Sequence, residues 1–425
     1  PDASWDTVNG AIYNYATGSI VAQPNGKKLS ATSNKGAGYV DATNTQIRAI
    51  YEARETHPMN HFSTVSAAHI IDFMYATFGT PQGAKYKAPT NQTWWLKEAV
   101  AIVGIVAMFS LVVVLVGILL TTKTFASLAA QEGEVEANTL ELLRKPRRHV
   151  SYWLSGLLTA IFGAWSLSKA SEWSSSSLVM QFINNKVGRL TGLTYTEWAN
   201  IGTIAYWSVL CGFVAIAISL VIYFINLAID MAATKNGEEF VTEQINPLAP
   251  LKIRSASNVV KTLAVVFIVV GVFYGIVALL WKWMVVDFRI WTFDLKNFKL
   301  SNLPSYLRYV PFFAVYYVAN SCLNQGFRAK DLPEWLTIII NVAFNVGALM
   351  LLFGVQNAHF IKTGGLISGS NKLFYIACYP IIPCVGVATV VSRRIYAKTG
   401  NAWLAGLINA VLFTILACAN TSVNG

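Results

Sequence analysis

The sequence predicts a mainly α-helical fold, a polytopic membrane domain preceded by a smaller part outside the bilayer. Three observations carry this. Of 425 residues 54% are hydrophobic and only 12% charged, with a mean hydropathy of +0.47, well outside the range of an ordinary soluble domain. About eight apolar segments are each long enough, or nearly so, to cross the ~30 Å hydrocarbon core of a bilayer. The connections between them alternate in basic content, the pattern that orients helical membrane proteins.

Residues 1–90 read as the part outside the bilayer and residues 91–425 as the membrane domain. Residues 14–46 are rich in Gly, Asn, Thr and Ser, a loop composition with short strand-like runs. Residues 47–54 place Ile and Tyr as a strand does. Residues 56–60 form a turn in which Pro58 fixes one backbone angle. Ser63 or Thr64 can cap a helix whose apolar residues Ala67, Ile70, Ile71, Met74 and Phe78 recur at helical spacing. Gly79 and then Pro81 close that helix. One clear helix and one clear strand supply little core, so the region reads as the end of a larger domain. The opening Pro1-Asp2-Ala3-Ser4, without signal peptide or initiator methionine, points the same way, to a missing upstream segment. Residues 80–91 are a polar linker, and Trp94-Trp95 marks the membrane interface.

The predicted spans lie near 98–121, 150–170, 201–227, 259–281, 306–322, 335–355, 373–391 and 402–418. Lys123, Arg144, Lys145, Arg147 and Arg148 follow the first, and Lys235, Lys252 and Arg254 the third. Arg328 and Lys330 follow the fifth, and Arg393, Arg394 and Lys398 the seventh. The positive-inside rule makes these four connections cytoplasmic and puts the N-terminal part and the C-terminus outside. Between the fourth and fifth spans, Asp287 to Phe293 alternates apolar and polar residues, as in a strand or hairpin on the outer interface. Arg289, Lys296, Lys299 and Arg308 on that side run against the charge rule.

The formal charge of +11 is spread beside apolar segments, with no basic stripe interleaved with aromatics, which speaks against nucleic acid as a partner. Cys211, Cys322, Cys378, Cys384 and Cys418 lie in or beside apolar segments without zinc-site spacing. No metal or cofactor motif is present: there is no phosphate-binding loop and no His-Glu-x-x-His. Ionisable residues inside spans would signal a functional site, and the predicted spans hold almost none; Asp230 and Lys261 fall at span ends. Asn320, Asn324, Asn341, Asn345 and Asn409 remain, and interhelical hydrogen bonding is their expected role. Pro380 and Pro383 break the seventh span, while His149 and His359 read as interfacial.

Several short stretches carry a resemblance. They are Arg48-Ala-Ile-Tyr, Thr56-His-Pro-Met-Asn-His-Phe-Ser63, Ala68-His-Ile-Ile-Asp-Phe73, Phe78-Gly-Thr-Pro81 and Asn91-Gln-Thr-Trp-Trp-Leu-Lys-Glu98. In this order they resemble the bacterial membrane-bound α/β-hydrolase family proteins, in which an extracytoplasmic hydrolase domain precedes a polytopic membrane domain. Asp287-Phe-Arg-Ile-Trp-Thr-Phe293 and Tyr309-Val-Pro-Phe-Phe313 look similar as well. The resemblance implies that 1–90 is the C-terminal part of an α/β-hydrolase-like domain at the outer face of the cytoplasmic membrane. It makes His61 the triad base, with His57 in the same turn as runner-up and Asp41 as acid partner. One element departs from the family. No Gly-x-Ser-x-Gly nucleophile elbow occurs in the 425 residues, so the serine would come from a companion or upstream segment.

Three functions follow as expectations. The first is a membrane-anchored serine hydrolase whose base and membrane domain this chain supplies. The second is a non-catalytic membrane subunit that docks a partner through its outer part, and the third a transporter or channel. The lipid bilayer is the partner common to all three.

Overall fold

The computed structural model describes residues 11–14, 20–22, 47–50, 55, 57–135, 146–176, 195–235, 246–290, 292–363, 365, 367 and 378–420. The chain divides into two compact units. One is Pro1–Ala99 with Asn357–Gly364; the other is Val100–Gln356 with Gly365–Gly425.

In the first unit, strands β1 (Ala11–Asn14), β2 (Ile20–Ala22) and β3 (Ile47–Ile50) form an antiparallel sheet in the order β2-β1-β3. A 3-10 turn, His57–Phe62, leads into helix α1 (Thr64–Phe78). Ser63 is the cap: its Oγ accepts the Ser66 backbone N–H at 2.9 Å, satisfying a donor that the first turn would leave orphaned. Gly79 ends the helix at φ 72°, a backbone angle that a side chain disfavours. Phe62 and Trp94 then meet with ring centroids 6.2 Å apart, and Gln92 Nε2 donates to the Thr64 carbonyl at 3.0 Å. These contacts fix the start of α1 beside the first turn of helix α2 (Trp94–Leu120).

The second unit is a helical bundle. Besides α2 it contains α3 (Pro146–Ser176), α4 (Tyr195–Lys235), α5 (Ala256–Met284), α6 (Leu303–Leu307), α7 (Val310–Leu323), α8 (Glu334–Thr363), α9 (Ile381–Thr399) and α10 (Ala402–Asn420). Among the described residues six helices are long and apolar enough to cross a membrane: α2, α3, α4, α5, α8 and α10. The described parts of the predicted fifth and seventh spans are largely helical, as α7 and α9, while 373–377 lie outside the described residues; α7 has only 14 residues and α9 carries Arg393, Arg394 and Lys398. Pro380 and Pro383 sit at the start of α9, where a missing N–H costs no helical hydrogen bond.

Helix α10 is the centre of the bundle. Its apolar window is 72% buried, against 22–33% for the other five. Small residues make this possible. A Cβ on Gly406 would lie 2.6 Å from the Val318 Cα in α7, and one on Gly212 in α4 would lie 3.0 Å from the Val315 carbonyl oxygen. α7 is therefore clasped between α10 and α4 at backbone contact, the close approach that small residues give membrane helices. Phe109 of α2 stacks on Phe413 of α10 and meets Phe273 of α5 at a tilt, each pair with centroids 5.5 Å apart.

The predicted hairpin is present as β4 (Phe288–Ile290) and β5 (Phe293–Leu295), paired antiparallel. Asn420 at the end of α10 donates to the Asp294 carbonyl at 2.8 Å. At the other end of the bundle the basic connections meet. Ala130 N–H bonds the Lys398 carbonyl at 2.8 Å, and Arg254 reaches the Ala129 carbonyl at 2.7 Å, the Thr399 carbonyl at 3.2 Å and the Glu134 carboxylate. Trp403 Nε1 donates to Leu251 O at 2.8 Å, and Arg328 to Arg393 O at 2.6 Å.

Candidate functional sites: a histidine turn and a buried polar core

In the first unit His57 and His61 both belong to the 3-10 turn, and His61 is exposed. The His57 side chain and all of Asp41 lie outside the described residues. A carboxylate absent from the sequence reading supports the turn from below. Glu55 accepts from Ser63 Oγ at 2.5 Å and from Ser66 Oγ at 2.9 Å, so the chain entering the turn is tied to the start of α1. A negative charge there also complements the helix dipole. Within α1, burial lowers the pKa of His69 while Glu55 opposes the shift. Asp72, 3% exposed, is pushed up to about 6 by burial, because the charged carboxylate is disfavoured away from water.

The second unit holds a polar core that hydropathy did not show. The sequence reading placed Arg393 in a connection after the seventh span and found almost no ionisable residue within the spans. The structure adds to this that helix α9 continues through Arg393 and that the side chain is fully buried. Its Nη2 and Nε donate to the Glu334 carboxylate at 2.7 and 3.3 Å, its Nη2 also to Thr337 Oγ1 at 2.6 Å, and its Nη1 to the Asn324 carbonyl at 3.0 Å. Arg328 grips the same carboxylate from the other side at 3.1 Å, bonds Gln325 Oε1 at 3.0 Å and lies over the Tyr396 ring at 5.5 Å. Burial, with the like charge of Arg393 adding to it, lowers Arg328 to about 10, and Glu334 opposes the shift. One carboxylate shared by two guanidiniums satisfies the requirement that buried charge be paired and hydrogen-bonded.

One helical turn further into the bundle the core becomes uncharged. Asn320 Nδ2 donates to Asn345 Oδ1 at 3.1 Å, Asn345 Nδ2 to Asn324 Oδ1 at 2.9 Å, and Asn324 Nδ2 to Asn320 Oδ1 at 2.9 Å. The three carboxamides close a ring between α7, the 3-10 turn after it and α8. Asn345 also donates to Thr389 in α9 at 2.8 Å. Interhelical hydrogen bonding was the role expected of Asn320, Asn324, Asn345 and Asn409, and these four make it; Asn409 donates to Ala388 O and Ser392 Oγ at 3.1 Å. Asn341 does not. It is fully buried, and among the described residues neither amide atom has a hydrogen-bond partner.

Beside the ring, between α3, α4, α7 and α8, is a chamber of about 50 Å³. The three carboxamides line it together with Trp207, Cys211, Tyr316 and Phe344. Trp207 Nε1 is fixed by Gly163 O and Ser166 Oγ, both at 3.1 Å, so the indole face is held in place. The signal that could have found this core was in the sequence: Asn320, Asn324, Asn341, Asn345, Thr389 and Arg393 recur at i, i+4. Window-averaged hydropathy hides it, because each polar residue is diluted by apolar neighbours.

Among the described residues no three His, Cys, Asp or Glu side chains group as a metal site. Comparison with protein-family models, curated proteins and solved structures returns no match.

Proposed function

We propose that this chain is the membrane-anchored part of a serine-hydrolase-like protein, cleaving ester or amide bonds outside the cytoplasmic membrane. In this reading the chain supplies the histidine base and the membrane domain, and a companion or upstream segment supplies the serine. The observation that carries it is the place of His61: exposed, on a tight turn ahead of α1, with that helix pinned beside Trp94 where α2 begins. A histidine so placed can take the serine hydroxyl proton during attack on a carbonyl and return it to the leaving group. His57 is the alternative base and Asp41 the proposed acid partner. The outward orientation rests on charge, since the basic connections gather at one end of the bundle and such ends face the cytoplasm. In total we read eight spans, α7 and α9 included.

A second reading rests on α1. Ile70, Met74 and Phe78, four residues apart, are 62%, 48% and 78% exposed, an apolar stripe that a partner protein would cover. A non-catalytic docking subunit would use it, and so would a hydrolase with its serine on another segment. Fluorophosphonate labelling of the protein in native membranes, with and without His61→Ala, separates the two. Label mapped to a serine of the companion segment, and lost in the variant, is expected. An intact assembly that takes no label would leave the docking reading.

A further inference from the structure

The chamber in the bundle is independent of the hydrolase reading, and its chemistry constrains its occupant. Among the described residues its lining contains no Asp, Glu, Lys, Arg or His, so nothing in that wall would neutralise a charged guest, and charge is costly away from water. The wall is nevertheless not apolar. A carboxamide has two N–H donors and an oxygen with two lone pairs. The cyclic arrangement of Asn320, Asn324 and Asn345 engages one N–H of Asn320 and of Asn324, and one lone pair of each oxygen. The second N–H of both residues, and a lone pair on all three, remain for a guest beside the wall they form. At bilayer depth no bulk water supplies those bonds.

Size narrows the guest further. A water needs about 10–15 Å³ in such a cavity, so a chamber of about 50 Å³ holds about four water-sized groups. Gly163 opens onto it: a Cβ there would meet nothing within 4 Å. Trp207 and Phe344 also line it and give apolar surface for the rest of a small molecule.

We infer that this chamber is a binding site for a small uncharged group bearing both a hydrogen-bond donor and an acceptor, a hydroxyl or primary amide. It would be held by Asn320, Asn324 and Asn345 against Trp207. The group could belong to a soluble solute or to the head of a neutral lipid, and one experiment distinguishes them. Cys211 lines the chamber, whereas Cys384 and Cys418 are buried elsewhere in the core. The full chain is treated with methyl methanethiosulfonate, once in phosphatidylcholine vesicles containing diacylglycerol, whose head is a neutral hydroxyl, and once in lipid-free detergent, and modification of each cysteine is mapped by mass.

The expected result is modification of Cys211 about ten-fold faster than of Cys418, which has no exposed surface, since access governs thiol modification. Acetamide or ethylene glycol should slow Cys211 alone, several-fold, if the guest is a solute. If it is a lipid head, Cys211 is fast in detergent and slow in vesicles. In Gly163→Leu the added side chain fills the chamber and the effect disappears; unchanged rates at Cys384 and Cys418 show that the variant is folded. Two results overturn the inference: Cys211 no faster than Cys418 in either medium, or Cys211 equally fast in both media and insensitive to both probes.

Discussion

Helices α2 and α9 belong to the same bundle and distribute their side chains in opposite ways. α2 exposes Val100, Val103, Val106, Val114 and Ile118 and buries little more than a quarter of its apolar window. α9 buries Ile381, Val385, Ile395 and Tyr396, and with them Thr389, Ser392 and Arg393. In water this would be a poor arrangement, with apolar groups outside and a guanidinium inside. Against hydrocarbon the exposed face of α2 is the favourable one, since lipid tails solvate Val and Ile as well as a core does, and the Arg393 charge inside the bundle is tolerated because Glu334 pairs it. The most apolar helix stands at the periphery, and the one carrying buried charge makes the interior.

The sharpest way to break this contrast is to unpair the interior charge. Glu334→Gln leaves Arg393 fully buried beside a neutral partner, and a loss of about 3 kcal/mol is expected, read as a lowered melting temperature in detergent. Adding Arg393→Met should recover part of that loss, since the unpaired charge then leaves the interior. If Glu334→Gln melts as the parent does, the charge core is not a structural lock.

Backbone contact comes next. Gly406→Ala drives a methyl to within 2.6 Å of the Val318 Cα, an overpacking that costs about 1–3 kcal/mol. Gly271→Ala in α5, where a Cβ meets nothing within 4 Å, should instead stabilise by about 0.5–1 kcal/mol through helix propensity. The pair tests whether small residues matter by position or merely by composition; thermal melts of equal sign would refute the former.

Asn345→Leu opens the carboxamide ring. Hydrogen bonds between membrane helices are individually weak, so the expected loss is about 1 kcal/mol, smaller than for Glu334→Gln. An equal loss in both would mean that ring and charge cluster act as one network, and a double-mutant cycle would show it as coupling.

The smallest effect concerns the first unit, where burial of a carboxyl shows as pH dependence. Asp72 has a folded pKa of about 6 against an ordinary value of 3.8. The folded state therefore holds its proton more tightly than the unfolded one. Stability is greatest below the lower value, falls as pH rises between the two, and has lost this contribution above about pH 6. Asp72→Asn should flatten that fall, as followed by limited proteolysis of α1 across the range. A parent profile already flat there would refute the assignment.

How far the sequence reached differs between these regions for the same physical reason. Hydropathy located α2, α4, α5, α8 and α10 because lipid-facing helices must be apolar nearly all round. Local chemistry located the Ser63 cap, the Gly79-Pro81 stop and the β4–β5 hairpin, since capping hydrogen bonds, a glycine at φ 72° and strand alternation are set by a few adjacent residues. His61, His57 and Asp41 were drawn from a resemblance, and the structure supplies only the exposed turn that holds His61. The polar core was different. Arg393 pairs with Glu334, 59 residues away, and Asn345 joins Asn320 and Asn324 across 25 and 21 residues.

By itself, then, the sequence determined which segments favour lipid, where α1 starts and stops, and where the basic connections fall. Each is a property of consecutive residues and their solvent. Only the tertiary structure decided that Arg328, Glu334 and Arg393 meet, that three carboxamides close a ring, and that a chamber lies beside them. Those depend on which helices approach closely enough to touch, and α7 is drawn in by the missing side chains of Gly212 and Gly406.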